Sequence, residues 1–355
     1  MLETTMAYPR TCRSFRRTEP PYPLSIAPST ETLPETLSPR DVVIRIHAVS
    51  LNFRDVAMLH EGRYPAPAEV RGIPASDCAA EVVAVGDEVE QFSIGDHVAP
   101  IFNLTNLDGT ERDTDAVALG GDGPGVLREF AVFEDKFLVK LPQHLSWEEA
   151  STLACAGLTA WTSLDSLKNV KEDTAVLLQG TGGVSMFALL ICVAAGIKPI
   201  ITSSSDAKLE RAKQLGRDVQ GINYKKHADV AAEALRLTGG KGVDYVVNNT
   251  GPASMPYDLQ ALRKKYGTIS FVGFLEGFEA DWSPSLLLTL MSKAAKIQGI
   301  QVGSKKQFEE LNRFLDEKKV QLDSIVDKTF SFEDSAAAFD YLYSGSHVGK
   351  VVIKL

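Results

Sequence analysis

From residue 175 onward the chain alternates short apolar runs with helical patterns, and no other feature limits its fold so sharply. Residues 175–179 read as a buried strand, 184–195 as a helix, 198–202 as a strand and 207–215 as a second helix. The alternation continues with strands at 222–224, 243–247 and 268–272, helices at 228–238 and around 259–264, and a last strand at 297–302. Apolar strands joined by helices need cover on both faces, and βαβα order supplies it, so a doubly wound parallel sheet is expected. The terminal run 351–354 is one further strand with no βαβ partner left. It is expected to return to the part of the chain that precedes this sheet.

That preceding part has a different texture. Residues 41–48 and 81–85 carry β-branched residues between Pro and Gly signals, as short strands do. Turn chemistry recurs at Ser38-Pro39-Arg40-Asp41, Val85-Gly86-Asp87 and Ile94-Gly95-Asp96, because glycine reaches positive φ and aspartate bonds its own backbone. The chain up to Trp147-Glu148-Glu149 is therefore predicted to be mostly β, a compact barrel or sandwich. Residues 103–124, rich in Asp, Gly and Thr without periodicity, are predicted to be a long surface loop.

With 355 residues the chain can bury two cores, so two lobes are expected. Its formal charge of −9 opposes phosphate backbones and anionic lipid, which bind through Lys and Arg that displace counterions. Nucleic acid and membrane are thus not expected as partners. Cys12, Cys78, Cys155 and Cys192 lie far apart and form no CxxC pair, which speaks against a disulfide framework or a clustered zinc site. A reducing, cytoplasmic setting follows. The basic stretch 10–17 lacks the apolar core of a targeting segment. The apolar stretches 184–195 and 286–291 are shorter than the ~20 residues that span a bilayer, so a soluble protein is expected.

The first strand of the alternating region runs into Gly180-Thr181-Gly182-Gly183-Val184-Ser185, and a helical pattern follows at once. Glycines let the chain turn sharply and let backbone N–H groups approach a pyrophosphate, while the helix N-terminus adds partial positive charge. A Gly-rich turn without a ligand is the plainer alternative, and the surrounding strand, helix and βαβ repeat weigh against it. The second strand ends in Thr202-Ser203-Ser204-Ser205, where an NAD site would place an acid on the ribose hydroxyls. Small hydroxyls at Ser203 and Ser204 leave room for a 2′-phosphate, and Lys208, one helical turn on, offers it a charge. NADP(H) is the cofactor this predicts. These serines also suit a helix cap, and Asp206 suits a helix N-terminus, so both roles stay open.

These residues resemble those of the medium-chain dehydrogenase/reductase superfamily, in its zinc-independent, quinone-oxidoreductase-like branch. The likeness also rests on Ser50-Leu51-Asn52-Phe53-Arg54-Asp55, on Ala75-Ser76-Asp77-Cys78-Ala79-Ala80-Glu81-Val82 and on Phe92-Ser93-Ile94-Gly95-Asp96. Leu158-Thr159-Ala160-Trp161, Ile300-Gln301-Val302-Gly303-Ser304-Lys305 and Gly349-Lys350-Val351-Val352-Ile353 extend it over nearly the whole chain. The resemblance implies an α/β protein. A Rossmann doubly wound parallel sheet would occupy 150–300, and a GroES-like mostly-β catalytic domain 1–149, completed by 301–355, with the active site in the cleft. It implies a homo-oligomer, since many relatives are dimers or tetramers, with a dimer expected here. Beyond the glycine turn, it places cofactor contacts at Ser204 with Lys208, at Tyr224, at Asn249 and Thr250, and at Gly273 and Phe274. Read by itself, Tyr224 is equally a half-buried aromatic at a strand end.

Zinc-dependent relatives carry Cys, His and Cys as catalytic ligands, and the matching places here hold Asn52, Ser76 and Cys155. An amide, a hydroxyl and one thiol cannot hold zinc tightly, so no metal is expected. Hydride must then pass to a small molecule that is already electron-poor, a quinone or a C=C conjugated with a carbonyl. The resemblance places Asn52 and Tyr64 in the substrate pocket, where an amide and a phenol can hydrogen-bond the oxygen that gains charge. A metal-free ketone or aldehyde reductase, and an NADPH-binding protein with a non-redox role, are the alternatives.

Overall fold

Two units divide the chain: residues up to Ala156 together with Ser304–Leu355 form the first, and Gly157–Gly303 the second. The computed structural model describes residues 8–66 and 68–355. The first unit holds β1 (Thr11–Arg17), β2 (Ile26–Thr32), β3 (Asp41–Leu51), α1 (Phe53–Ala57), β4 (Asp77–Val85), β5 (His97–Pro100), β6 (Phe130–Glu134), β7 (Leu138–Lys140) and α2 (Trp147–Ala150). In the second come α3 (Leu158–Ser163), β8 (Ala175–Leu178), α4 (Gly183–Ala195), β9 (Lys198–Ser203), α5 (Asp206–Lys213), β10 (Gln220–Asn223) and α6 (Val230–Leu237). It continues with β11 (Tyr245–Asn248), α7 (Met255–Ala261), β12 (Thr268–Phe271), α8 (Leu286–Ser292) and β13 (Lys296–Gly299). The chain then returns to the first unit with α9 (Lys305–Lys318), β14 (Val326–Ser331), α10 (Ser335–Tyr343) and β15 (Lys350–Lys354).

In the first unit, β1 and β2 pair with each other, and the larger sheet runs β14-β15-β3-β4-β5-β7, with β6 also on β3. Its core is built from alternate residues of the long strand, with Ile44, Ile46, Val49 and Leu51 meeting Val82, Leu127, Phe133 and Val351. The last strand comes back antiparallel against β3, with Val351 opposite Leu51. That one register sets the neighbours of Lys350.

The second unit is a six-stranded parallel sheet in the order β10-β9-β8-β11-β12-β13. All six strands therefore end at one edge, and the order reverses at β8, which is where such sheets open a crevice for ligands. The α4 helix is buried from Ser185 to Cys192, and Gly196 ends it in the left-handed region at φ +71°.

The units divide at 156/157 and 303/304 rather than at 149/150 and 300/301, and among the expected elements three departures stand out. The helix expected around 259–264 lies earlier, at Met255–Ala261, with Pro256 in its first turn. It stops because Leu262 turns extended and bridges Val243. The last parallel strand ends at Gly299, short of 302. The segment 103–124 is only in part a surface loop: residues 108–115 are exposed, while Asn103, Leu119 and Gly120 are buried. Its polar composition is satisfied internally. Glu111 accepts the backbone N–H groups of Asp108, Leu107, Gly109 and Thr110, and backbone hydrogen bonds, that from Asp108 foremost, hold its carboxyl down to about 2. Among the described residues no helix is long and apolar enough to cross a membrane.

Candidate active site

Every residue singled out for the cofactor lies at or beyond the end of a parallel strand. Gly180 to Ser185 follow β8, Ser203 ends β9 with Ser204 and Lys208 beyond it, and Tyr224 follows β10. Asn249 and Thr250 follow β11, and Gly273 and Phe274 come just after β12. Parallel pairing thus gathers all of them at one sheet edge.

At the glycine turn Gly180 has φ +79°, which favours glycine, and donates its N–H to Thr202 Oγ1 at 3.0 Å. Gly182 is the N-cap of α4, no side chain caps that helix, and a Cβ built on Gly182 meets nothing within 4 Å. An uncapped helix start beside open space has the chemistry to receive an anion. Ser185 is buried, with its hydroxyl donating to Gln179 O at 2.7 Å and accepting Asn249 Nδ2 at 3.0 Å, so it ties the turn down from within. Gly273 lies so close to Asn249 that an added Cβ would stand 2.9 Å from its carbonyl oxygen.

At the end of β9, Ser203 Oγ accepts the Ser205 N–H at 3.2 Å and Ser205 Oγ caps α5 through the Lys208 N–H at 3.5 Å. Capping therefore falls to Ser205, while Ser204 and Lys208 remain half-buried at the strand end. The Asp206 carboxylate is occupied by Lys226 Nζ at 2.6 Å and Asn223 Nδ2 at 2.7 Å. Tyr224 is exposed, its backbone N–H on Ser203 O at 3.2 Å.

In the first unit Asn52 caps α1, its backbone N–H held by Asp55 Oδ2 at 2.7 Å. Asn52 Nδ2 faces Ser76 Oγ at 3.4 Å, and Ser76 donates to Asp77 Oδ1 at 2.6 Å. The other oxygen of Asp77 accepts the Cys155 N–H at 2.9 Å, from a π-helical turn spanning Leu153–Gly157. Asn52, Ser76 and Cys155 are thus brought together around Asp77. Arg54 and Asp55 lie 3.8 Å apart, a loose pair, and the guanidinium hydrogen-bonds Leu119 O at 2.7 Å instead. Half-buried Tyr64 stands with its ring centroid 5.8 Å from the Arg54 guanidinium.

Residues 38–143 match the alcohol dehydrogenase GroES-like domain, and residues 183–317 the zinc-binding dehydrogenase domain. The chain is 39% identical to a zinc-type alcohol dehydrogenase-like protein of Schizosaccharomyces pombe over 335 residues, 93% of this chain and 95% of that one. The chain belongs to the medium-chain dehydrogenase/reductase superfamily. A quinone oxidoreductase of Pseudomonas aeruginosa is 32% identical over 67% of this chain and 66% of its own. A structure described as an alcohol dehydrogenase of Sinorhizobium meliloti superposes with a TM-score of 0.88 at 36% identity, covering 98% of this chain and 100% of that one. This member of the superfamily is an oxidoreductase of the alcohol dehydrogenase and quinone oxidoreductase kind, with the mixed α/β architecture of the superfamily.

Sequence reasoning missed two polar groups of this medium-chain dehydrogenase/reductase. One is Lys350, the buried lysine of β15, whose other lysine, Lys354, is exposed. The other joins Gln179 and Asn248, the polar residues that follow or end β8 and β11, to Asp258 on α7. Asp258 accepts Gln179 Nε2 at 2.7 Å, Asn248 Nδ2 at 2.6 Å and Ser254 Oγ at 2.9 Å. Gln179 Oε1 in turn accepts the Thr250 N–H at 3.1 Å, so the cluster fixes the loop after β11. A polar residue closing an apolar strand was the legible signal.

Burial pushes the Asp258 carboxyl up from 3.8 to about 7, the three donors offsetting it only in part. Between those values the folded state holds a proton that the unfolded state has released, so this group makes stability fall as pH rises from about 4 to 7. Chemical denaturation at pH 5 and pH 8 is expected to show wild type losing about 2 kcal/mol more than Asp258→Asn, which cannot titrate. Equal losses in the two proteins would remove this role.

Proposed function

We infer that the chain is an NADPH-dependent, zinc-independent reductase of quinones or of C=C bonds conjugated with a carbonyl. The observation that carries the metal-free part is the donor set around Asn52. It offers an amide, a hydroxyl and a single thiol, that of Cys155, which is fewer than the about three good ligands a catalytic zinc takes. The Lys350 ammonium lies 2.5 Å from Asn52 Oδ1 in the same cluster, and a second cation there would be repelled. The NADPH part is supported by Ser203, Ser204 and Lys208 at the end of β9 and by the absence of a free acid there, since Asp206 is held by Lys226 and Asn223.

Bound NADPH supplies the hydride, and the rest falls to side chains of this chain. The N–H groups from Thr181 to Ser185 and the start of α4 suit the pyrophosphate, and Lys208 with the serines suits the 2′-phosphate. Asn52 Nδ2 and Tyr64 Oη donate to the substrate oxygen as it gains charge, which stabilises an enolate or hydroquinone oxygen without a metal.

The test is loss of NADPH absorbance with chelator present throughout, against quinones, enones, enals and simple ketones, with Tyr64→Phe run beside wild type. Quinones or enones are expected to turn over, with kcat at least about tenfold lower in Tyr64→Phe and NADPH affinity unchanged within about twofold. Stoichiometric zinc in the purified protein, or turnover of simple ketones alone, would overturn the reading. NADPH binding with no turnover of any acceptor would move the assignment to a non-redox role.

A further inference from the structure

An amide donates from one end and accepts at the other, so what Asn52 can do to a substrate depends on which end faces inward. Its partners decide this. Lys350 Nζ, buried at the start of β15, donates to Asn52 Oδ1 at 2.5 Å and to Leu51 O at 2.6 Å. A lysine ammonium has protons and no acceptor, so the carboxamide oxygen must face it and the nitrogen must face away. On that other side Ser76 has already given its hydroxyl proton to Asp77, which leaves it a lone pair toward Asn52 Nδ2. Both contacts enforce one orientation.

The ammonium is held in place as firmly as the amide. Asp77 is the strongest charge facing it, with the Cys155 thiol and Asp55 beyond, and burial drives its pKa down against their pull. Its backbone position follows from the strand register, with Val351 opposite Leu51. Yet the hydrogen bonds it makes go to two neutral oxygens, one of them on the residue assigned to the substrate.

We propose that Lys350 is a positioning residue that holds the Asn52 carboxamide with its N–H donor turned to the substrate oxygen. This rests on Asn52 acting as a donor to that oxygen. The ammonium also draws electron density from the amide oxygen and so strengthens the N–H as a donor.

The experiment measures kcat, acceptor KM and NADPH affinity for Lys350→Met in wild-type and Asn52→Ala backgrounds, with melting curves to confirm folding. Lys350→Met is expected to lower kcat at least about tenfold with NADPH affinity within about twofold, and to have no further effect once Asn52→Ala is present. Losses that multiply in the double variant would overturn the positioning role while leaving Asn52 as donor. A wild-type kcat in Asn52→Ala would overturn both. Asn52→Asp guards against a Lys350 variant that does not fold, because it keeps an acceptor for the ammonium and removes the donor. It is expected to fold at least as stably as wild type and to lose kcat as Asn52→Ala does. Wild-type turnover in Asn52→Asp would equally sink the proposal.

Discussion

Gly182→Asp is expected to keep or slightly raise the melting temperature while weakening NADPH binding at least about a hundredfold. The two effects are expected to have opposite signs, because on the proposed reading the glycine serves the ligand and not the fold. Gly182 has φ −79° and ψ −179°, an extended conformation open to any residue, and nothing lies within 4 Å of its missing Cβ. It caps α4 without a side chain, so an aspartate there would accept a first-turn N–H and face the positive end of the helix, which stabilises by about 0.3–1 kcal/mol. The same carboxylate would take the donors that suit a pyrophosphate and repel its charge, a loss of about 3 kcal/mol or more. A melting curve and a fluorescence titration with NADPH read both sides. An affinity within about threefold of wild type would place the dinucleotide elsewhere.

Lys208→Ala is expected to raise the Kd for NADPH about 10- to 100-fold and that for NADH by less than about threefold. A charge-assisted hydrogen bond to a phosphate contributes about 1.5–3 kcal/mol, and only NADPH carries the 2′-phosphate. Lys208 stands in the first turn of α5, its backbone tied by the Ser205 cap, so the substitution leaves the helix start intact. Asp206 remains paired with Lys226 and does not compensate. Parallel titrations of both cofactors at one salt concentration check this. Equal losses would assign the site to NAD.

The parallel sheet was legible because β8, β9 and β11 are short apolar runs among helices, a pattern contained within a few residues. Its boundaries were less so. Pro256 in the first turn of α7 was a readable start signal, whereas the end of that helix depends on Leu262 bridging Val243, a residue from another part of the chain. The loop 103–124 looked exposed by composition, but its two ends close on each other through Asn103 and Ala118, and composition does not report that. Among the site residues, the glycine turn stood out by its place between a strand and a helix in a βαβ repeat. Asn52 and Tyr64 came only from the resemblance, since a single amide and a single phenol carry no periodicity.

The sequence by itself determined the alternating βαβ region, the turn from Gly180 to Ser185 and the serines with Lys208 beyond β9, all features whose causes lie within a helical turn or two. Only the tertiary structure decided which buried polar groups meet. Lys350 and Asn52 are 298 residues apart, and they touch because β15 pairs with β3 in a single register that sets Val351 opposite Leu51. Gln179 and Asp258 are 79 apart and meet because β8 and β11 are neighbours in the sheet. Apolar periodicity says which face of an element is buried, whereas the partner of a buried polar group is set by which strand lies alongside.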